Sequence, residues 1–467
     1  MFVGRNYEID KLNELYNENR FHCIVMYGRR RVGKTRLLTE FCKEKNRIFY
    51  VSEEHNDLLS LTKFSAQILE HFGLNEFMPK FDSWDAAFKF IGKKAENEKL
   101  VLVLDEFPYM VSSNKRMLSI IQNNIDHNLI DTKLFLIICG SSISFIENEV
   151  LSHKSPLFGR RTAQFLINPL DFFDAIKFFP NYTNEDKIRI YSVLGGVPQY
   201  LLQFNGQASF DYNMVKKMYD KSAYLYLETE LLLKQELINP IVYKSIIEAV
   251  ASGASKLNEI STKIGETTSK TSIYIKSLIE LKIIQKIKPI TEKANSKKTI
   301  YLINDNFYKF YYKHVSKHIS AIEQEMGEHI YNNRVKGKFY EHQGSVFEEV
   351  CKEYLIRKNK KFELPFIIDK IGKWWGANPI KKRQEEIDIV GLGDGEVLLA
   401  ECKYTSEKLG IEVYEKLVER ANLLTRGKSY YYIFSKSGFK DNLLDLEKTI
   451  ENLNLVTLDL MISEFAE

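Results

Sequence analysis

At 467 residues the chain is longer than one hydrophobic core supports, so two to four domains are expected. A hydrophobic share of 44% with 27% charged residues excludes global disorder, and a net charge of only +4 gives a field too weak to attract nucleic acid by itself, leaving that role to local patches. The five cysteines (Cys23, Cys42, Cys139, Cys351 and Cys402) form no close pair that would seed a zinc site or redox motif, and no run of roughly 18 apolar residues marks a membrane span. With the charged N-terminal stretch MFVGRNYEIDKL, these features predict a cytoplasmic protein with no membrane partner.

In chain order, apolar runs at 21–27, 47–52, 100–104, 134–139 and 162–168 alternate with helical stretches, the pattern of a parallel sheet buried on both faces. This predicts an α/β core over 1–168. Residues 169–235 read as a helical lid, interrupted by Gly195-Gly196-Val197-Pro198. Three helices at 243–251, 256–264 and 269–281 precede a Lys-rich hairpin with arms at 283–290 and 299–303, a winged helix-turn-helix outline over 236–305. A charged helical linker over 306–343 leads to a further αβ domain over 344–467.

Gly28-Arg29-Arg30-Arg31-Val32-Gly33-Lys34-Thr35 fits the phosphate-binding pattern G-x-x-x-x-G-K-[ST] between a strand and a helix, with Arg36 following on the helix. Glycines let backbone N–H groups curl around phosphate oxygens, where a helix N-terminus adds positive charge. Lys34 is expected to reach the β and γ phosphates of ATP, and Thr35 to ligate Mg2+. The strand Leu100-Val101-Leu102-Val103-Leu104 ends abruptly in Asp105-Glu106. Asp105 is expected in the magnesium shell and Glu106 to polarise the attacking water.

These motifs resemble the archaeal-type ATPases, a branch of the P-loop ATPases related to the AAA+ and STAND groups. The resemblance spans about residues 1–310. It rests also on Phe2-Val3-Gly4-Arg5 with Glu8, on Leu104-Asp105-Glu106-Phe107, on Cys139-Gly140-Ser141-Ser142, on Leu157-Phe158-Gly159-Arg160-Arg161, and on Leu194-Gly195-Gly196-Val197-Pro198. It implies that Arg5 lies near the adenine, that Ser141 is a polar sensor, and that Pro198 belongs to a lid turn over the nucleotide. Arg160 and Arg161 are candidates to stabilise charge on the transferring phosphoryl, in cis or across a subunit boundary of a homo-oligomer.

The segments Gln384-Glu385-Glu386-Ile387-Asp388-Ile389-Val390 and Glu396-Val397-Leu398-Leu399-Ala400-Glu401-Cys402-Lys403 read as a hairpin about a Gly-Asp-Gly turn. Alternation puts Asp388 on the face of Glu386, with Ile387 and Ile389 opposite; Glu401 and Lys403 share a face opposed to Cys402. If Asp388 and Glu401 lie toward one side, two carboxylates and a lysine converge as a magnesium site with a cation to steer water. The arrangement resembles the PD-(D/E)xK nucleases, whose core places an acid on one strand, E-x-K on the next, and often a further acid on a preceding helix, here Glu348. The match covers about residues 344–440, and no proline precedes Asp388. The same domain resembles an uncharacterised extension fused to archaeal-type ATPases.

Residues 357–383 carry nine basic side chains against two acidic ones around Trp374-Trp375, and the wing, 282–298, carries six lysines against Glu292. Both suit DNA as partner, since cations neutralise phosphates and rings stack on bases. Solvated basic faces are the bland alternative. The expected function is an ATP-hydrolysing protein acting on DNA through a metal-dependent nuclease-like domain; a nucleotide switch that binds DNA without cutting, or an ATPase acting on protein partners, remain open alternatives.

Overall fold

The computed structural model describes residues 2–293, 296–424 and 427–465. These fall into two compact units: residues 1–169 with 197–199, and residues 170–196 with 200–467.

The first unit is built on five parallel strands, β1 (His22–Tyr27), β2 (Arg47–Val51), β3 (Leu100–Asp105), β4 (Leu134–Gly140) and β5 (Ala163–Leu166). Their order is β2-β3-β4-β1-β5. β1, β3 and β4 are buried along their whole length, which explains why they read as unbroken apolar runs: helices cover both faces. Two apolar clusters divide these residues, Val25, Leu102 and Ile138 on one face and Ile24, Val103 and Ile137 on the other. Each fully buried branched side chain contributes about 1.5–3 kcal/mol. Because β4 lies between β3 and β1, the strand ends at Tyr27, Asp105 and Gly140 come side by side, at the carboxyl edge where ligands bind in such sheets.

The second unit contains a group of three helices with a two-stranded antiparallel pair, and the C-terminal sheet. Helices Pro240–Ala251, Leu257–Ile264 and Thr268–Glu280 precede the antiparallel pair β6 (Ile284–Ile287) and β7 (Ile300–Ile303), as the sequence pattern predicts. The expected wing tip includes Ala294 and Asn295, which lie outside the described residues.

The C-terminal sheet has the order β12-β11-β10-β9-β8, from β8 (Lys370–Asn378), β9 (Arg383–Gly393), β10 (Glu396–Lys403), β11 (Ser429–Ser435) and β12 (Leu453–Thr457). β8, β9 and β10 form an antiparallel meander, and β11 and β12 continue parallel to β10. The long helix Phe339–Lys360 buries Val346, Phe347, Val350, Cys351, Tyr354 and Leu355, a stripe at helical spacing. Tyr354 meets Phe434 of β11 at a ring separation of 5.7 Å. Helix Ile411–Ala421 packs Leu417 and Ala421 with Val397, Leu399, Tyr431 and Ile433 in one apolar cluster.

The register of β8 against β9 shifts: Gly372 faces Val390 but Trp374 faces Ile387. Asp388 and Ile389 therefore share the space opposite Lys373, a β-bulge. Ile387 and Val390 join the same apolar cluster, so the expected alternation, with Ile387 and Ile389 on one face and Asp388 on the other, does not hold here. An extra residue resets the pleat at Asp388-Ile389. β8 itself was not legible as a strand in the basic run 357–383.

Candidate functional site

At the carboxyl edge of the first sheet, β1 runs into the loop 28–33 and then into helix Lys34–Phe41. Gly28 has φ +154°, and a Cβ there would lie 2.2 Å from the carbonyl oxygen of Ile167. No other residue fits so close a backbone approach. Gly33 caps the helix in the left-handed region at φ 92°, and Pro198 lies over it, 3.7 Å from where a Cβ would stand. Val32 is buried, and its carbonyl accepts from Arg5 Nη2 at 3.1 Å. Arg5 also donates to the carbonyl of Asn168 at 2.5 Å and pairs with Glu8. It thereby ties the loop to the chain beyond β5.

Lys34 is buried, its ammonium donating to the carbonyls of Gly28 and Arg29 at 2.8 and 3.1 Å. Arg29 is buried, Arg30 donates to the Tyr109 hydroxyl at 3.1 Å, and Arg31 takes a left-handed φ of 72°. Arg36 points along the outer face of this helix toward Glu40, 3.7 Å away.

Thr35 Oγ1 donates to Asp105 Oδ2 at 2.7 Å. This pair supplies hydroxyl and carboxylate oxygens, the hard donors magnesium takes, and the two residues fit that ion. Asp105 Oδ1 accepts from the backbone N–H of Glu106 at 2.9 Å. Glu106 sits in the left-handed region at φ 50° and accepts from Ser141 Oγ at 2.6 Å. The backbone turn and the serine bond together fix the glutamate at the strand edge. Burial and the Asp105 charge push the Cys139 thiol well above its ordinary range, so it is an inert core group beside the site.

The two arginines differ in setting. Arg160 grips Asp126 through Nε and Nη2 at 3.0 and 2.8 Å, a bidentate pair. Arg161 lies over the Phe158 ring at 5.7 Å, and its buried Nη1 has no hydrogen-bond partner among the described residues.

In the second unit the β9–β10 ladder stops at Ile389–Ala400. The next residues on the two strands are Asp388 and Glu401. Asp388 Oδ2 accepts from the backbone N–H of Cys402 at 2.8 Å. Burial, then the charges of Glu401 and Glu348, push the Asp388 carboxyl well above the usual carboxylate range. Glu401 pairs with Lys403 at 2.7 Å and with Arg420 Nη1 at 2.9 Å. Glu348 pairs with Lys373 of β8. The sulfur of Cys402 turns to Cys351 of the long helix, on the other side from Glu401 as expected.

Of the sequence-predicted residues, Asp388 and Glu401 are thus neighbours at the end of the ladder, Lys403 pairs with Glu401, and Glu348 pairs with Lys373 while its charge is felt at Asp388. Lys373, Glu385 and Arg420 join them without having been expected. Lys373 was hidden by the unrecognised strand, and Arg420 lies on the following helix with no sequence signal linking it to Glu401. Among the described residues no three His, Cys, Asp or Glu side chains cluster to cage a metal. Two carboxylates with water would have to suffice, as magnesium allows.

The basic run is less free than its composition implies. Arg357 pairs with Asp171 and Asp174, Lys358 with Glu363 and Glu464, Lys381 with Glu419, and Arg383 with Glu385. Trp374 is a core residue, the bland alternative for that ring. Among the described residues no helix is long and apolar enough to cross a membrane.

Residues 2–204 match a family of ATPase domains found predominantly in Archaea, and residues 311–417 match a family of archaeal and bacterial proteins of unknown function. The uncharacterized protein MJECL04 of Methanocaldococcus jannaschii is 36% identical over 442 residues, 93% of this chain and 96% of that one. Among solved structures, the Walker-type ATPase paby2304 of Pyrococcus abyssi aligns over 67% of this chain and 96% of its own, at 18% identity and a TM-score of 0.50. The ORC2 protein of Aeropyrum pernix, solved in ADPNP and ADP complexes, aligns over 69% and 94% at 13% identity and a TM-score of 0.45. With the P-loop sheet and the near full-length relative both in hand, the chain belongs to the family of archaeal-type P-loop ATPases that carry this C-terminal domain.

Proposed function

We propose that the chain is an ATP-hydrolysing protein acting on DNA, in which nucleotide state governs a metal-dependent nuclease site formed by Asp388, Glu401 and Lys403 with Glu348 beside them. The observation that carries the reading is the fork at the end of the β9–β10 ladder, where a buried Asp388 with a raised proton affinity stands beside Glu401. Paired carboxylates repel until a cation joins them, so a proton or a divalent ion relieves the pair.

On this reading Asp388 and Glu401 hold Mg2+, which supplies a polarised water and neutralises phosphate charge. Burial disfavours the Lys403 charge, but the Glu401 carboxylate outweighs it and raises the proton affinity, so on this reading Lys403 acts as a fixed cation rather than a base. In the first unit Lys34, Thr35 and Asp105 hold ATP and Mg2+, Glu106 positions water under the control of Ser141, and Arg161 is the better candidate for the phosphoryl-stabilising cation. The experiment that tests the reading is DNA cleavage with and without divalent metal, comparing the wild type with Asp388→Asn.

A second reading, a nucleotide switch that binds without cutting, is favoured by one observation. Glu401 is already neutralised by Lys403 and Arg420, as a purely structural ion pair would be. Metal binding has to displace at least one of these cations.

A further inference from the structure

The wing hairpin is fastened to the C-terminal sheet. Beyond β6, the Ile290 N–H donates to the carbonyl of Lys373 in the edge strand β8 at 2.9 Å, and the Ile290 side chain packs on the apolar cluster of that sheet. Between the hairpin and the sheet lies a cleft of about 820 Å³. Its wing side is apolar, with Ile287 and Leu302; its sheet side presents Trp375 with the cations Lys373, Arg383 and Arg420 and the carboxylates Glu385 and Glu386. A run of ion pairs leads from the cleft toward the carboxylates: Arg383 to Glu385 at 2.6 Å, Glu385 to Arg420 at 3.1 Å, and Arg420 to Glu401 at 2.9 Å.

We propose that this cleft seats an unpaired nucleotide of a nucleic-acid strand, with the base on Trp375 and its phosphates against Lys373 and Arg383. The C-terminal site would then act on single-stranded ends or flaps in preference to intact duplex. The volume lies within the ~300–1,000 Å³ of pockets that take nucleotide-sized ligands. An indole facing an apolar wall has nothing to stack on in a duplex, whose bases are paired inside it, whereas a splayed base offers its π-face. Arg383 keeps its side chain 60% exposed, and its buried partner Glu385 is also held by Arg420, so Arg383 can turn to a phosphate without leaving that carboxylate unpaired. The inference rests on the nuclease reading for its catalytic consequence but not for binding.

The test uses the full chain carrying Asp388→Asn, so that strands stay intact, with fluorescent oligothymidylate, oligouridylate of the same length, and a blunt DNA duplex as probes. Tighter binding of single strand than duplex is expected. Trp375→Ala should weaken single-strand binding roughly 5- to 150-fold, the range for loss of one stacked base. Trp375→Phe should restore most of it, and Arg383→Gln should weaken it while reducing its salt dependence. A preference for thymidylate marks DNA as the natural source and a preference for uridylate marks RNA; either supports the seat. Unchanged binding by Trp375→Ala, or a preference for duplex, overturns the proposal. If Trp375-dependent binding is seen while the chain without Asp388→Asn cleaves nothing, the seat stands and the nuclease reading falls. If single strand and duplex are cleaved alike and Trp375→Ala changes neither, the nuclease reading stands and the seat falls.

Discussion

Asp388 Oδ2 accepts the backbone N–H of Cys402 at 2.8 Å, so an aspartate side chain takes over from the ladder where β9 and β10 cease to pair. The carboxylate has a structural duty besides any chemical one. Asp388→Ala leaves the Cys402 N–H buried without an acceptor, at a cost of about 1–3 kcal/mol. Asp388→Asn keeps an acceptor oxygen and removes a charge that burial disfavours. Thermal denaturation should therefore place Asn at or above the wild type and Ala below it.

In the first unit, Lys34→Ala should abolish detectable ATP binding, whereas Glu106→Gln should bind ATP while hydrolysing it at least ~100-fold more slowly, the scale of a lost general base. Ser141→Ala frees the Glu106 carboxylate from its 2.6 Å bond. It should lower turnover with little change in ATP affinity. Nucleotide titration alongside phosphate release measures both quantities; wild-type turnover by Glu106→Gln would remove that residue from the mechanism.

The unequal settings of the two arginines give a second test on that unit. Arg160 is clamped by Asp126, while Arg161 carries a buried nitrogen without a hydrogen-bond partner among the described residues. Arg161→Ala should reduce turnover more than Arg160→Ala and should affect turnover more than ATP affinity. Mixing Arg161→Ala with Lys34→Ala chains distinguishes action in cis from action between subunits: recovered hydrolysis in the mixture requires the latter.

His314 and His342 predict a pH dependence of stability. Both are buried, with rings 5.6 Å apart, and His342 bonds the Ser192 carbonyl at 2.7 Å. Burial lowers His342 to about 3 and His314 to about 4. Their folded values lie below the unfolded value near 6.5, so the unfolded chain binds the extra protons. The stability they contribute is complete above pH 6.5 and is lost as pH falls toward 4. Between pH 6.5 and 5 each should forfeit about 1.5 kcal/mol. Chemical denaturation across that range should show the loss in the wild type and a shallower slope in His314→Phe.

The geometry of the candidate nucleotide site was largely legible because its pattern is local: the glycine loop, the lysine and threonine lie within eight residues, and a buried strand announces Asp105-Glu106 by its sudden polarity. The C-terminal hairpin was legible in its residues but not in its geometry. A single bulge at Asp388-Ile389 breaks the two-residue period on which face assignment depends. Lys373 and Arg420 reach Glu348 and Glu401 only through tertiary structure, from strand and helix positions that no local pattern ties to those acids. Within the basic run, composition could not show that Arg357, Lys358 and Lys381 hold carboxylates of the same chain, since those partners lie far away in sequence or on other elements.

The most direct measurement of the central claim is a nicking assay on supercoiled and single-stranded circular DNA with the full chain, with and without ATP, in magnesium, manganese or chelator. The account predicts metal-dependent cleavage by the wild type, its loss in Asp388→Asn and in Glu401→Gln, and unchanged ATP hydrolysis in both variants. Cleavage that survives the double replacement, or a wild type that cuts neither substrate in either metal while hydrolysing ATP, would contradict it and leave the non-cutting nucleotide switch.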